Sequence, residues 1–250
     1  MSAAARPGSA VETIAISKSF GGVTAVRDLS LSIPRGGVTS IVGPNGSGKS
    51  TLINLLSGTL SLDGGIVVIG GRGLTVVKAH DNPSRSITRT FQEIRLFDQM
   101  SALDNILVVL TERRVARALV ERGRGARGER AREILERVGL WEKRRALAMD
   151  LSYGQRKLLE IGRALAMDVD TYLLDEPFAG LFPAMVEQVK AILARMRDEG
   201  RTVVFVSHNM DIVRELTDHL IVLDSGELLA HGDADDVLGR PEVIGAYLGF

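Results

Sequence analysis

Gly43-Pro44-Asn45-Gly46-Ser47-Gly48-Lys49-Ser50-Thr51 constrains this chain more than any other segment. It follows the β-branched run Val38 to Val42 and precedes Leu52 to Leu56, which reads as helix and is closed by Gly58. A strand that feeds a glycine-rich turn and then a helix can fold its main-chain N–H groups into one concavity that holds an anion. The positive end of the helix dipole points to the same place. Lys49 adds a point charge for β- and γ-phosphates, and Ser50 offers a hydroxyl to Mg²⁺. A nucleoside triphosphate is therefore the expected ligand. The turn alone does not choose among a kinase, a GTPase, a helicase and a transport motor.

Composition narrows the field. The 250 residues leave room for one large domain or two lobes sharing a core. With 45% hydrophobic and 25% charged residues, a mostly disordered chain is excluded. Lys and Arg total 31 and Asp and Glu total 31, which argues against a wholly basic nucleic-acid binder while leaving room for local basic patches; no nucleic-acid partner is expected. There is no cysteine, so disulfides, thiolate zinc sites and cysteine nucleophiles are excluded, and a reducing compartment fits. No apolar run approaches the ~20 residues of a membrane-spanning helix. The Ala/Ser/Gly/Pro-rich start from Met1 to Glu12 lacks the apolar stretch of a secretory signal. It reads as a disordered leader, over residues 1–10, on a cytoplasmic protein that would sit on a membrane and not cross it.

Patterning along the chain is α/β. Leu29 to Ile33, Ile66 to Ile69, Tyr172 to Leu174 and Thr202 to Ser207 read as strands. Pro183 to Arg197 and Asn209 to Leu216 read as helices. Asp224-Ser225-Gly226 is a hairpin turn between His219–Leu223 and Leu228–Ala230. Alternating strands and helices imply a mainly parallel sheet. Ala102 to Ala166 is helical in period. Within it, Arg113 to Arg132 holds eight arginines, and Gly123, Gly125 and Gly128 predict a loop between helices. That charged run reads as a solvated face, or alternatively as a contact for anionic lipid headgroups.

Two acids end the strand Tyr172 to Leu174. Ligands of open α/β sheets sit at the carboxyl ends of strands, so Asp175 is placed in the Mg²⁺ shell, and Glu176 is placed to orient and deprotonate an attacking water. The competing reading is a helix N-cap. His208 follows the strand Thr202 to Ser207 and so shares an edge with these groups. Its imidazole is suited to bond a γ-phosphate and to hold Glu176. Gln92, in Thr90-Phe91-Gln92, can touch both metal and water because an amide donates and accepts. Ser152 and Gln155 have capping-box spacing before a helical run.

Taken in chain order, the phosphate loop, Gln92, Leu151-Ser152-Tyr153-Gly154-Gln155, Asp175-Glu176 and His208 resemble the ATP-binding cassette (ABC) ATPases from about Val11 to Phe250. The resemblance implies a P-loop nucleotidase core with a mixed sheet, an antiparallel β subdomain and an inserted α-helical subdomain. Residues 11–92 and 168–250 would form the core, and 93–167 the helical insert. It also implies a head-to-tail dimer. Each ATP would lie between Gly43, Asn45, Gly46, Ser47, Gly48, Lys49, Ser50 and Thr51 of one subunit and Ser152, Gly154 and Gln155 of the other. Phe20 matches the family's adenine-stacking aromatic, the other reading being a core ring. The family's Ala-Gly-Leu-Asp/Asn-Pro becomes Ala179-Gly180-Leu181-Phe182-Pro183 here, which puts polar communication between the two ATP sites in doubt.

Finer similarity is to branched-chain (hydrophobic) amino acid uptake ATPases. It rests on Leu151 to Gln155, Leu159 to Leu165, Asp175 to Leu181 and the ending Pro241 to Gly249. That resemblance implies an identical or paralogous second ATPase subunit, transmembrane permease subunits and a periplasmic or extracellular substrate-binding protein. Leu96 and Phe97 match the region that receives a permease coupling helix, the other reading again being core. Asp175 to Gly180 also resembles lipopolysaccharide-export ATPases. A non-transport cassette usually brings tandem copies or long insertions, and a dead-site module would lack groups such as Lys49, Asp175, Glu176 and His208.

Overall fold

The structure, a computed structural model, describes residues 8–79, 86–111 and 124–248. The chain folds as two compact units, one of residues 1–89, 169–177 and 193–250, the other of 90–168 and 178–192.

The first unit holds two sheets. Strands β1 (Ser9–Phe20), β2 (Val23–Pro34), β4 (Gly64–Ile69) and β5 (Arg72–Leu74) form an antiparallel sheet in the order β2-β1-β4-β5. The other sheet runs β10-β9-β3-β8-β7-β6. Its members are β3 (Val38–Val42), β6 (Ile87–Arg89), β7 (Thr171–Asp175), β8 (Thr202–Val206), β9 (His219–Asp224) and β10 (Glu227–Gly232). All neighbours in it pair in parallel except β9 and β10, which form the hairpin expected at Asp224-Ser225-Gly226. Every residue of β3, β7 and β8 is buried, as strands covered on both faces must be. One core joins Ile41, Leu173, Val204 and Val206 to Leu52, Leu55 and Leu56 of helix α1 (Lys49–Leu56) and to Ile16, Leu29 and Ile33 of the antiparallel sheet.

The second unit is helical. It contains α2 (Ala102–Leu110), α3 (Arg124–Arg137), α4 (Tyr153–Ala166) and the first part of α5 (Pro183–Asp198). A Cβ on Gly162 of α4 would lie 3.3 Å from Ile106 and 3.5 Å from Ile134 and Val138, so this glycine lets the three helices close up. Helices α6 (Met210–Leu216), α7 (Ala234–Leu238) and α8 (Pro241–Leu248) complete the first unit. Among the described residues no helix is long and apolar enough to cross a membrane.

Three expectations need correction. Strand β1 begins at Ser9, and Ala10 and Val11 are already core residues, so the leader expected over residues 1–10 cannot include Ser9 and Ala10; residues 1–7 lie outside the described residues. Gly125 and Gly128 lie inside α3 and not in a loop. Burial of Ala131, Ile134 and Leu135, with the pairs Arg130–Glu133 and Arg132–Glu136, offsets their low helix propensity. The part of that expected loop before Arg124 lies outside the described residues. Finally, the helical unit takes in residues 90–92, 168 and 178–192 as well as the expected insert, so Gln92 belongs to it and not to the core unit. Met185 packs so closely on α4 that a Cβ on Gly154 would sit 2.1 Å from its sulfur.

His219 at the start of β9 lies 5.7 Å, ring to ring, from His231 on β10. Burial, and then the charge of His231, lowers its pKa, against the pull of Asp233. A depressed histidine pKa means that the unfolded chain binds more protons, so this stabilisation is present above about pH 6.5 and is lost as pH falls below it. Replacement of His219 by Gln should therefore flatten the loss of the urea midpoint between neutral and mildly acid pH; an equally steep loss in the variant would contradict this.

Candidate nucleotide site

Register places the site. Ile41 of β3 pairs with Val206 of β8, and Asp175 of β7 pairs with the same Val206. Three adjacent parallel strands thus end level. Their next residues are the Gly43 loop, Glu176, and Ser207-His208.

The loop is shaped from beneath. Gly43 has φ +148° and Gly48 φ +97°, and a Cβ on them would lie 2.1 Å from the Leu223 carbonyl and 2.4 Å from the Ala25 carbonyl. The backbone packs too tightly there for any other residue. On the outer side, Asn45, Gly46 and Ser50 are exposed, Thr51 is half-buried, and a Cβ on Gly46 would meet nothing within 4 Å. Ser47 is buried, its N–H donating to Pro44 at 3.2 Å. The N-cap of α1 is Gly48, which supplies no side-chain acceptor. By contrast, α2, α4, α6 and α7 are each capped by a side-chain oxygen of Ser101, Ser152, Asn209 or Asp233. The first-turn amides of α1 are therefore left to an external anion. Lys49 is 6% exposed and folds over the loop, its Nζ donating to the carbonyls of Gly43 at 2.9 Å and Pro44 at 2.7 Å. Burial lowers its pKa, and the Glu176 carboxylate opposes that shift. A phosphate chain fits this arrangement of exposed rim, uncapped helix and buried cation.

The acids differ in environment. Asp175 is 3% exposed and pairs with Arg89 at 3.4 Å, two buried charges. Arg89 also donates to Asn54 at 2.6 Å, Ser57 at 2.8 Å and Thr59 at 3.2 Å. Sequence reasoning missed Arg89; nothing in the short segment Ile87-Thr88-Arg89 sets it apart from a surface cation. Glu176 is half-buried with φ +48°, a left-handed conformation that costs a non-glycine residue about 1–3 kcal/mol. Its Oε1 lies 3.0 Å from Nε2 of His208. Neither acid caps a helix, since α5 begins only at Pro183. The carboxylate of Asp175 and the hydroxyl of Ser50 are hard oxygen donors that suit Mg²⁺.

Lys49, Asp175, Glu176 and His208 thus all belong to the first unit. So does Phe20, whose ring is 46% exposed at the β1–β2 turn with Lys18 Nζ 5.5 Å above it, open for stacking and not part of the core. In the helical unit, Gln92 is exposed, and Ser152 and Gln155 form the expected capping box, with Gly154 buried behind them. Leu96 is half-buried and Phe97 is 44% exposed, so Phe97 is not a core residue. Phe182 is 79% exposed.

The family pattern of the ABC transporters matches residues 26–179. The chain belongs to that family. It is 34% identical over 248 residues to the high-affinity branched-chain amino acid transport ATP-binding protein BraF of Pseudomonas aeruginosa, covering 96% of this chain and 97% of that one. It is 35% identical to the ribose import ATP-binding protein RbsA 1 of Rubrobacter xylanophilus, covering 96% of this chain but 47% of the relative. Among solved structures, a nucleotide-free cassette from an ABC transporter superposes with a TM-score of 0.84 at 33% identity, covering 97% of this chain and 100% of that one. A dimeric cassette bound to ADP and phosphate gives 0.78 at 27% identity, covering 90% and 98%. The mixed sheet, antiparallel sheet and helical unit are the ABC ATPase fold. The chain is the ATP-binding subunit of an ABC transporter, of a family that hydrolyses ATP and generally requires Mg²⁺.

Lys49→Ala should weaken ATP binding by at least about tenfold, the loss of one charge-assisted contact. Calorimetric titration checks this, and an unchanged affinity would contradict the role given to the loop.

Proposed function

We propose that this subunit hydrolyses ATP at an interface between two cassettes and so powers uptake of branched-chain or other hydrophobic amino acids. The observation that supports catalysis best is the Glu176–His208 contact of 3.0 Å on the strand edge that also carries Lys49. In the proposed step Glu176 accepts a proton from water as the water oxygen bonds to the γ-phosphorus. The bond from that phosphorus to the β,γ-bridging oxygen breaks, leaving ADP and phosphate. His208 holds the carboxylate and bonds a γ-phosphate oxygen. Lys49 and the uncapped α1 amides hold the phosphates, with Phe20 under adenine. Bound Mg²⁺, held by Ser50, Asp175 and Gln92, would neutralise phosphate charge. Gln92 also orients the water.

In the dimer, Ser152, Gly154 and Gln155 of one copy would face the phosphates held by the other, where the start of α4 presents its positive end. The γ-phosphate then joins the two copies and its removal releases them, a nucleotide-driven switch. The partners are a second identical or paralogous cassette, permease subunits that dock near exposed Phe97, and a substrate-binding protein outside the cell. The chain would act at the cytoplasmic face of the plasma membrane, without spanning it. The amino-acid assignment follows the full-length likeness to BraF. Comparable identity to a ribose import subunit fits a cassette that carries the motor and leaves cargo choice to its partners.

Glu176→Gln should keep ATP affinity within about twofold and lower turnover by about 10²–10⁴, and it should leave an ATP-stabilised dimer on size-exclusion chromatography. His208→Ala should lower kcat more than it raises KM. Normal hydrolysis by Glu176→Gln would overturn the assigned base.

A further inference from the structure

Helix α4 carries a costly group that the reaction described above does not use. Glu160 is 6% exposed, and burial pushes its carboxyl pKa up. Its Oε2 has no hydrogen-bond partner among the described residues. A buried carboxylate is a poor means of stabilisation even with the buried Lys157 one turn earlier on the helix, because desolvation opposes the gain from its partners. What it does make is directional. Oε1 accepts the main-chain N–H of Phe91 at 3.3 Å, and the N–H of Arg95 attracts the same carboxylate. These two amides flank Gln92. The charges of Lys157 and Arg163, on the same helix, help keep Glu160 ionised.

The remainder of this loop is fastened separately. The guanidinium of Arg163 donates to the Arg95 carbonyl and lies 4.9 Å from the Phe97 ring centroid. Arg156 pairs with Asp98 at 2.7 Å. Asn105, fully buried on α2, accepts the Phe97 N–H at 3.0 Å and donates to the Phe97 carbonyl at 3.1 Å. Those bonds set residues 95–98. Glu160 acts next to Gln92 itself.

We infer that Glu160 is a positioning residue for Gln92: by accepting the Phe91 N–H it sets the main-chain path that aims the Gln92 amide, and it ties that path to the helix that begins at Ser152. The inference rests on the catalytic role proposed for Gln92. The tie gives the two active elements of the helical unit a common frame. Gln92 serves the nucleotide of its own copy, and the start of α4 serves that of the other.

Amide hydrogen exchange on the nucleotide-free protein reads the contact without turnover. The Phe91 amide should be protected in the wild type. Glu160→Ala should lose that protection by about tenfold or more while the amides within α4 keep theirs. In steady-state assays the same variant should lower kcat by about ten- to a hundredfold, the cost of a misplaced catalytic group, with the KM for ATP within about twofold because the Lys49 loop is untouched. Glu160→Gln retains an acceptor oxygen and should restore most of the protection and of kcat. If Glu160→Ala does not fold, Glu160→Gln and the wild-type exchange still decide: a Phe91 amide that exchanges as freely as an open loop overturns the inference. Unchanged protection in Glu160→Ala, or a raised KM with kcat intact, overturns it as well. Gln92→Ala separates the two claims. Full turnover there overturns the role of Gln92 and with it the catalytic part of this inference. Lost turnover there, with full turnover in Glu160→Ala, overturns the inference about Glu160 alone.

Discussion

Parallel strands that end level impose the chemistry on this chain. Strands β3, β8 and β7 are neighbours in one sheet, and the pairing of Val206 with both Ile41 and Asp175 brings their carboxyl ends to one line. A lysine loop, a carboxylate and a histidine from segments far apart in sequence therefore meet on one edge without any of them lying on a long mobile loop. The buried faces of those strands supply the rigidity. The polar groups sit where the hydrogen-bonded ladder stops and the backbone is free to turn toward a ligand.

Charge is handled by pairing in that first unit. Asp175 is buried, and Arg89 faces it while being held by three neutral acceptors on the α1 side. Glu176, one residue on, is left more open, in a strained left-handed conformation against His208. Two adjacent carboxylates thus acquire different surroundings, one fixed for ion binding and one accessible for proton transfer, as their proposed roles require. Lys49 is poised in another way. Its ammonium spends its bonds on two loop carbonyls, and incoming phosphate oxygens offer it stronger, charged acceptors.

Much of this was legible in the residues. The strand–turn–helix context of Gly43 to Thr51 and the acids at the end of an apolar strand have local signatures, and each depends on short-range chemistry. The Ser152–Gln155 cap is local as well, and it forms as expected. What escaped the sequence depends on tertiary packing. Gly125 and Gly128 read as helix breakers, yet burial of Ala131, Ile134 and Leu135 along the same segment outweighs their propensity. Arg89, between Thr88 and Thr90, and Glu160, between Lys157 and Arg163, look locally like ordinary surface charges. Their partners lie 86 residues away at Asp175 and 69 residues away at Phe91, beyond the reach of any periodicity.

The central claim is that nucleotide is held chiefly by its phosphates, through Lys49 and the uncapped amides of α1, with adenine stacking on Phe20 as the lesser contribution. Calorimetric titration of the wild-type protein with AMP, ADP and ATP in the presence of Mg²⁺ tests it most directly. Affinity should rise steeply from AMP to ADP to ATP, with one nucleotide bound per chain. Equal affinity for AMP and ATP, or no binding of either ADP or ATP, would contradict the account.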